Sequence, residues 1–309
     1  MIKITASMKQ MSVAWKTAFW TVGSAILFSM LGAIVRHLSD HMHTFQVSFF
    51  RCAAGLVFML PWLLHQGMGA LKTRRLGLYT VRCFLGLVSM QMGFYALSLI
   101  SFADSTALSF TTPLFATAMA ALFLGEVVRI RRWTATIVGF IGVIIIIRPG
   151  AGALNIGVLL ATGAAALSAV VTLIVKQLTK TESPTTIVTF MVLLMTPMAL
   201  PLAIWVWQAP APIDWLWILL MGVCGSAGHI CLVRAFALAD ASVVMNYDYT
   251  RMVFATMIGW IAFGEFPDLW TWVGSGVIVA STLYIAHREA LRRQSIAAPA
   301  AAKSGDPTA

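Results

Sequence analysis

Apolar residues fill this chain in long runs, separated by short polar and basic stretches. A helix needs roughly 20 mostly apolar residues to cross the hydrocarbon core of a bilayer. By that measure the pattern predicts ten membrane-spanning helices: Ala18–Val35, Thr44–Leu64, Leu78–Ile100, Ser105–Leu124, Trp133–Ile147, Ile156–Val175, Ile187–Trp207, Trp215–Ala235, Val243–Phe263 and Leu269–Ala286. The fifth is short, but its Ile141–Ile147 stretch is almost wholly aliphatic. The expected fold class is therefore all-α integral membrane. Residues 1–17 form an N-terminal segment, and residues 289–309 read as a disordered tail rich in Ala and Pro. Lys3, Lys9 and Lys16 precede the first run, which ends in Ile34-Val35-Arg36-His37 without a small-residue cleavage pattern. It is expected to be an uncleaved span rather than a secretory signal.

Composition agrees with the pattern. Of the 309 residues 60% are hydrophobic and only 10% charged, whereas a soluble domain carries about 25% charged residues on its wetted surface. The solvent over most of the chain must be lipid. The net charge of +10 would suggest nucleic acid or an anionic surface in a soluble protein. Its distribution says otherwise. With the N-terminus in the cytoplasm, most basic residues fall in cytoplasmic segments, from Lys3, Lys9 and Lys16 through Lys72, Arg74, Arg75 and Arg82, Arg129, Arg131 and Arg132, Lys176 and Lys180, and Arg234 to Arg288, Arg292, Arg293 and Lys303. This positive-inside asymmetry predicts both termini in the cytoplasm and no nucleic-acid partner. The four cysteines all lie in apolar stretches and suggest neither a disulfide framework nor a metal site.

The chain also repeats itself. Pro113-Leu-Phe-Ala-Thr-Ala-Met-Ala-Ala-Leu-Phe-Leu-Gly-Glu126 aligns with Met252-Val-Phe-Ala-Thr-Met-Ile-Gly-Trp-Ile-Ala-Phe-Gly-Glu265, and Trp133 and Trp272 follow at the same offset. Gly-Glu thus closes the fourth span of each half. A repeat of five spans, an odd number, requires that residues 18–148 and 149–288 lie inverted in the membrane. Such inverted repeats are a feature of secondary transporters, which hold substrate between the halves.

Ten spans, two five-span halves and the Gly-Glu ending each fourth helix resemble the EamA-type drug/metabolite transporter superfamily over about residues 18–288. More narrowly, Thr44-Phe-Gln-Val-Ser-Phe-Phe-Arg51, Gly139-Phe-Ile-Gly-Val143, Arg148-Pro149, Ala235-Phe236 and Gly264-Glu-Phe-Pro-Asp268 are similar to a bacterial subgroup of riboflavin importers and S-adenosylmethionine uptake proteins. The resemblance implies a multi-pass protein of the bacterial inner membrane, monomer or homodimer, that carries a small molecule without a cofactor.

Ionisable and amide side chains inside apolar spans are costly unless they face a cavity or a partner, so they mark the candidate site. The ninth span carries Asn246, Tyr247, Asp248 and Arg251. The last two are three apart and can pair, either as a structural bridge or as a cavity wall. Gln91 and Tyr95 stand at i, i+4 in the third span, and His229 shares a face with Ser226 in the eighth. These seven residues are the candidate substrate ligands. Arg51 is expected to be structural, reaching outward or pairing with Asp40. Pro113 should kink the fourth span, with nearby Ser and Thr hydroxyls compensating its missing donor. Glu126 and Glu265 are expected to clamp the repeat, and Asp104 and Asp240 to act as N-caps.

The reading that follows is an inner-membrane secondary transporter importing a small metabolite, with riboflavin first. S-adenosylmethionine uptake and efflux of amino acids or other metabolites remain open. A membrane-embedded enzyme would need a metal-ligand set, paired acids or a phosphate-binding loop, and no H-E-x-x-H, D-x-x-x-D or Gly-rich phosphate motif is present. Asp248 could carry a coupling proton, or transport could be facilitated diffusion.

Overall fold

The computed structural model describes residues 13–67, 73–123, 130–147, 156–239, 241–281 and 283–284. Among these residues all regular secondary structure is helical. In the first half, α1 (Val13–Ser39), α2 (Thr44–Gln66) and α3 (Leu76–Leu99) are followed by the short α4 (Phe102–Ser109) and α5 (Thr112–Phe123), then α6 (Ile130–Ile147). In the second half, α7 (Ile156–Leu178), α8 (Pro184–Trp205) and α9 (Asp214–Leu238) precede the short α10 (Ala241–Asp248) and α11 (Thr250–Phe263). A further apolar helix, α12, covers Leu269–Ser281. Six helices, α1, α2, α3, α7, α8 and α9, are long and apolar enough to cross a membrane. This is a multi-pass membrane protein.

Side chains are sorted as lipid demands. Bulky residues such as Phe84, Leu216, Val253 and Ile261 are exposed on the outside, while Thr17, Thr21, Ser24, Ser29 and Ser48 are buried. A buried hydroxyl costs little when it bonds back to the carbonyl one turn earlier. Thr21, Ser29 and Ser48 each do so, at 2.9 Å.

The helix contacts recur between the halves. The first helix of each half packs on the third helix of the other, α1 on α9 and α7 on α3. The second helices, α2 and α8, pack on each other. Each first helix also touches the opposite half's short helices, α1 with α10 and α11, and α7 with α4 and α5. Small residues permit the closest crossings. A Cβ on Gly222 would stand 2.4 Å from the Ala54 Cβ and 2.8 Å from the Gly55 nitrogen, so α9 lies almost backbone to backbone on α2. Gly142 of α6 and Gly274 of α12 face each other in the same way.

The fourth and ninth expected spans are not continuous helices. The break in each falls at corresponding positions 139 residues apart: Phe110 and Thr111 between α4 and α5, and Tyr249 between α10 and α11. The same side-chain bond marks both. Thr111 Oγ1 donates to the Leu108 carbonyl at 2.7 Å, and Thr250 Oγ1 donates to the Tyr247 carbonyl at 2.8 Å. In the first half Pro113 also lacks the N–H that would reach the Ser109 carbonyl. Thr112 Oγ1 donates to that carbonyl instead, at 2.7 Å. The hydroxyls add donors to backbone carbonyls at each break, the Leu108 carbonyl accepting from the Thr111 N–H at 3.1 Å as well.

One local expectation is corrected. Asp104 is not an N-cap: Ser101 precedes α4 and its Oγ accepts from the Asp104 N–H at 3.1 Å. Asp104 instead accepts from Thr271 Oγ1, tying α4 to α12. Asp240 lies outside the described residues. All four cysteines are free thiols.

Candidate functional site

The two breaks meet beside a cavity of about 380 Å³ that is lined by residues of both halves. Phe110 and Tyr249 meet edge to face there, with ring centroids 5.0 Å apart. Arg251, in the first turn of α11, fastens the two broken helices. Its guanidinium lies 3.3 Å from the Asp248 carboxylate and donates to Ser109 Oγ at 2.9 Å. It also lies over the Phe110 ring, 5.5 Å from the centroid. Asp248 and Ser109 occupy the same position of the repeat, so one side chain grips the end of α4 and the end of α10 together. A half-buried pair of this kind is both a latch and a polar wall.

The other end of the cavity is cationic. Arg51 of α2 and Arg82 of α3 are each only 3% exposed, and both line the cavity. Arg51 Nη2 lies 3.1 Å from His229 Nδ1, and the same nitrogen lies 2.8 Å from the Gly225 carbonyl. A neutral imidazole that donates from Nδ1 to that carbonyl has no lone pair there for Arg51. Gly225 leaves room for the guanidinium, since a Cβ would stand 2.9 Å from Arg51 Nε. Arg82 meets sulfur acceptors, Met191 at 3.1 Å, Met195 at 3.7 Å and the neighbouring Cys83, and its Nε has no partner. No carboxylate among the described residues pairs with either arginine.

The structure brings together some of the residues expected from sequence and separates others. Asp248, Arg251 and His229 line the cavity, as do Arg51 and Pro113. Arg51 meets His229 rather than Asp40. Gln91 accepts from Ser48 Oγ at 2.7 Å and, with the exposed Tyr95, borders a separate shallow depression. Tyr247 is outside the lining of the main cavity. The helical phase that joined Tyr247, Asp248, Arg251 and Phe254 is interrupted at Tyr249. Asn246 belongs to α10 with its side chain outside the described part, and Glu126 lies outside the described residues altogether. Glu265 is held by Arg36 at 2.8 Å and accepts from the Phe102 N–H at 2.9 Å, joining α1, α4 and the segment after α11.

Sequence reasoning missed Phe110, Tyr249 and Arg82. Arg82 had counted toward the cytoplasmic charge, although it falls within the run Leu78–Ile100. It stands near the start of that run, where a basic residue fits a topology charge and a buried site equally well.

Two repeated helical halves meeting at paired helix breaks beside a shared cavity match the architecture of a repeat-type membrane transporter. The EamA-like transporter family profile matches twice, over residues 15–148 and 155–286, and the chain belongs to that family. It is 34% identical over 277 residues to a riboflavin transporter of Vibrio cholerae, covering 88% of this chain and 93% of the relative. It is 29% identical over 270 residues to an S-adenosylmethionine uptake transporter of Rickettsia prowazekii, covering 87% of this chain and 92% of the relative. Its fold is similar to that of a solved crystal structure at a TM-score of 0.61 and 16% identity, over 88% of this chain and 98% of the other.

Proposed function

We propose that this protein imports a flavin, riboflavin in the first instance, across the bacterial inner membrane. The cavity's chemistry carries the choice between the two cargoes named for its relatives. Among the described residues Arg51, Arg82 and Arg251 line it against the single carboxylate of Asp248, which is already committed to Arg251. S-adenosylmethionine, net positive despite its carboxylate, would enter a site of its own sign, whereas an isoalloxazine ring offers carbonyl oxygens to guanidinium donors and a flat face to Phe110 and Tyr249. The 34% identity to a riboflavin transporter supports the same reading.

In this account ten spans form two inverted halves, both termini are cytoplasmic, and the protein acts without a cofactor or catalytic chemistry, as monomer or homodimer. Asp248, Arg251 and His229 contact substrate. The Arg51–His229 pair and the two breaks rearrange as the cavity opens to alternate sides. Expression in a riboflavin-requiring strain tests this: growth on low external riboflavin supports it. Failure to grow, with S-adenosylmethionine uptake or export of another metabolite in its place, would sink it.

A further inference from the structure

We infer that Arg51 and Arg82 form an anion subsite that holds an oxyanion, so that on the flavin reading the cavity that carries riboflavin also admits a flavin phosphate ester and binds it the more tightly. Both guanidiniums are 3% exposed and line the cavity from adjacent helices of the first half. A buried charge is ordinarily retained only with a counter-charge or a full set of hydrogen bonds. Neither condition holds here. Arg82 faces two methionine sulfurs and the Cys83 sulfur, all weak acceptors, and its Nε has no partner. Arg51 reaches a histidine nitrogen that also faces the Gly225 carbonyl, and a cysteine sulfur at 4.0 Å.

The nearest source of compensation within the protein is closed. Among the described residues Asp248 is the one carboxylate on the cavity wall, and Arg251 holds it at 3.3 Å. The described walls therefore carry more positive than negative charge in a low-dielectric surround. An oxyanion supplies what the walls lack, because the planar guanidinium fork matches the oxygens of a phosphate or carboxylate and such charge-assisted bonds are the strong ones. The flavin reading serves here to choose the probes. Riboflavin and its 5′-phosphate share ring and ribityl chain and differ by the phosphate alone.

The test is equilibrium binding to the purified full-length protein in nanodiscs, followed by quenching of flavin fluorescence. The phosphate ester should bind about tenfold or more tighter than riboflavin, the worth of one charge-assisted bond. In Arg82→Gln that ratio should fall to about one, and Arg82→Lys, which keeps the charge but loses the fork, should give an intermediate ratio. An ester that binds wild type no tighter than riboflavin, or an advantage that survives Arg82→Gln, overturns the inference and leaves the flavin reading intact. Should neither flavin bind, the flavin reading falls, and thermal unfolding decides the subsite. Inorganic phosphate raising the midpoint of wild type but not of Arg82→Gln, against potassium chloride of equal ionic strength, upholds it. No difference between the two salts refutes it.

Discussion

Phe110 and Tyr249 occupy the same position in the two halves of the chain and touch each other, ring edge to ring face, at 5.0 Å between centroids. Each sits where a membrane helix breaks. A contact between equivalent residues places them beside the axis that relates the halves, and it puts both irregular segments at one place in the molecule. Irregular backbone is tolerated inside a membrane protein where it lines a cavity and side chains or water satisfy its polar groups. Here Thr111 and Thr250 do so with matching hydrogen bonds.

That match gives a first prediction. Thr250→Val keeps shape but removes the hydroxyl, leaving the Tyr247 carbonyl without its donor. A lost bond of this kind costs about 1 kcal/mol, and a loss no larger is expected for Thr111→Val, where the Leu108 carbonyl keeps the Thr111 N–H. Thermal unfolding in detergent should show a drop for Thr250→Val at least as large as that for Thr111→Val, and Thr250→Ser should restore the midpoint.

Asp248 and Arg251 connect the breaks, so Asp248→Asn should lower riboflavin uptake by about tenfold or more while expression is retained, given what a charge-assisted contact contributes. Uptake with and without an uncoupler separates two roles. Loss of uncoupler sensitivity in the variant marks Asp248 as a proton carrier, whereas an insensitive wild type assigns it to binding and geometry.

Removing a buried charge that lacks a counter-charge should stabilise the empty protein. Arg82→Leu is expected to raise the thermal midpoint, with a gain of about 1–4 kcal/mol as for other buried ions replaced by apolar groups, and to impair transport. A lowered midpoint would mean that Arg82 is held by the fold rather than kept for a ligand.

Arg36 and Lys176 do the same structural work in opposite halves. Arg36 donates to the carbonyls of Leu97 and Ile100 at the end of α3, and Lys176 donates to those of Phe236 and Ala239 at the end of α9, positions 139 apart in each case. Each cation also answers the negative end of a helix dipole. Alanine at either position should cost about 1–3 kcal/mol by stranding carbonyls, measured as unfolding midpoint. Glu265→Gln should cost less, because it leaves the carbonyl bonds of Arg36 in place.

Much of this was legible in the sequence. Apolar run lengths gave the long helices, and the Gly-Glu repeat gave the two halves, because lipid imposes simple rules on length and composition. Pro113 and its neighbouring hydroxyls announced the first break. The second break has no proline, and Tyr249 looked like one more aromatic on a continuous helix. For that reason the face drawn through Tyr247, Asp248, Arg251 and Phe254 dissolves at Tyr249, and Tyr247 falls outside the cavity. Gln91 and Tyr95 share a helix face, but α3 turns that face toward Ser48 and the exterior. Arg82 was hidden by a counting rule: near a helix end, a basic residue serves a topology signal and a buried site equally well until the neighbouring helix is known.

The central claim is that riboflavin crosses the membrane through the cavity between the two broken helices. Gly86 tests it. A Cβ there meets nothing nearer than 3.8 Å, at the Arg82 guanidinium, so alanine fits while tryptophan projects into the space. Uptake of labelled riboflavin into proteoliposomes should proceed with wild type and Gly86→Ala and stop with Gly86→Trp at matched reconstitution. Transport by Gly86→Trp at the wild-type rate would contradict the account.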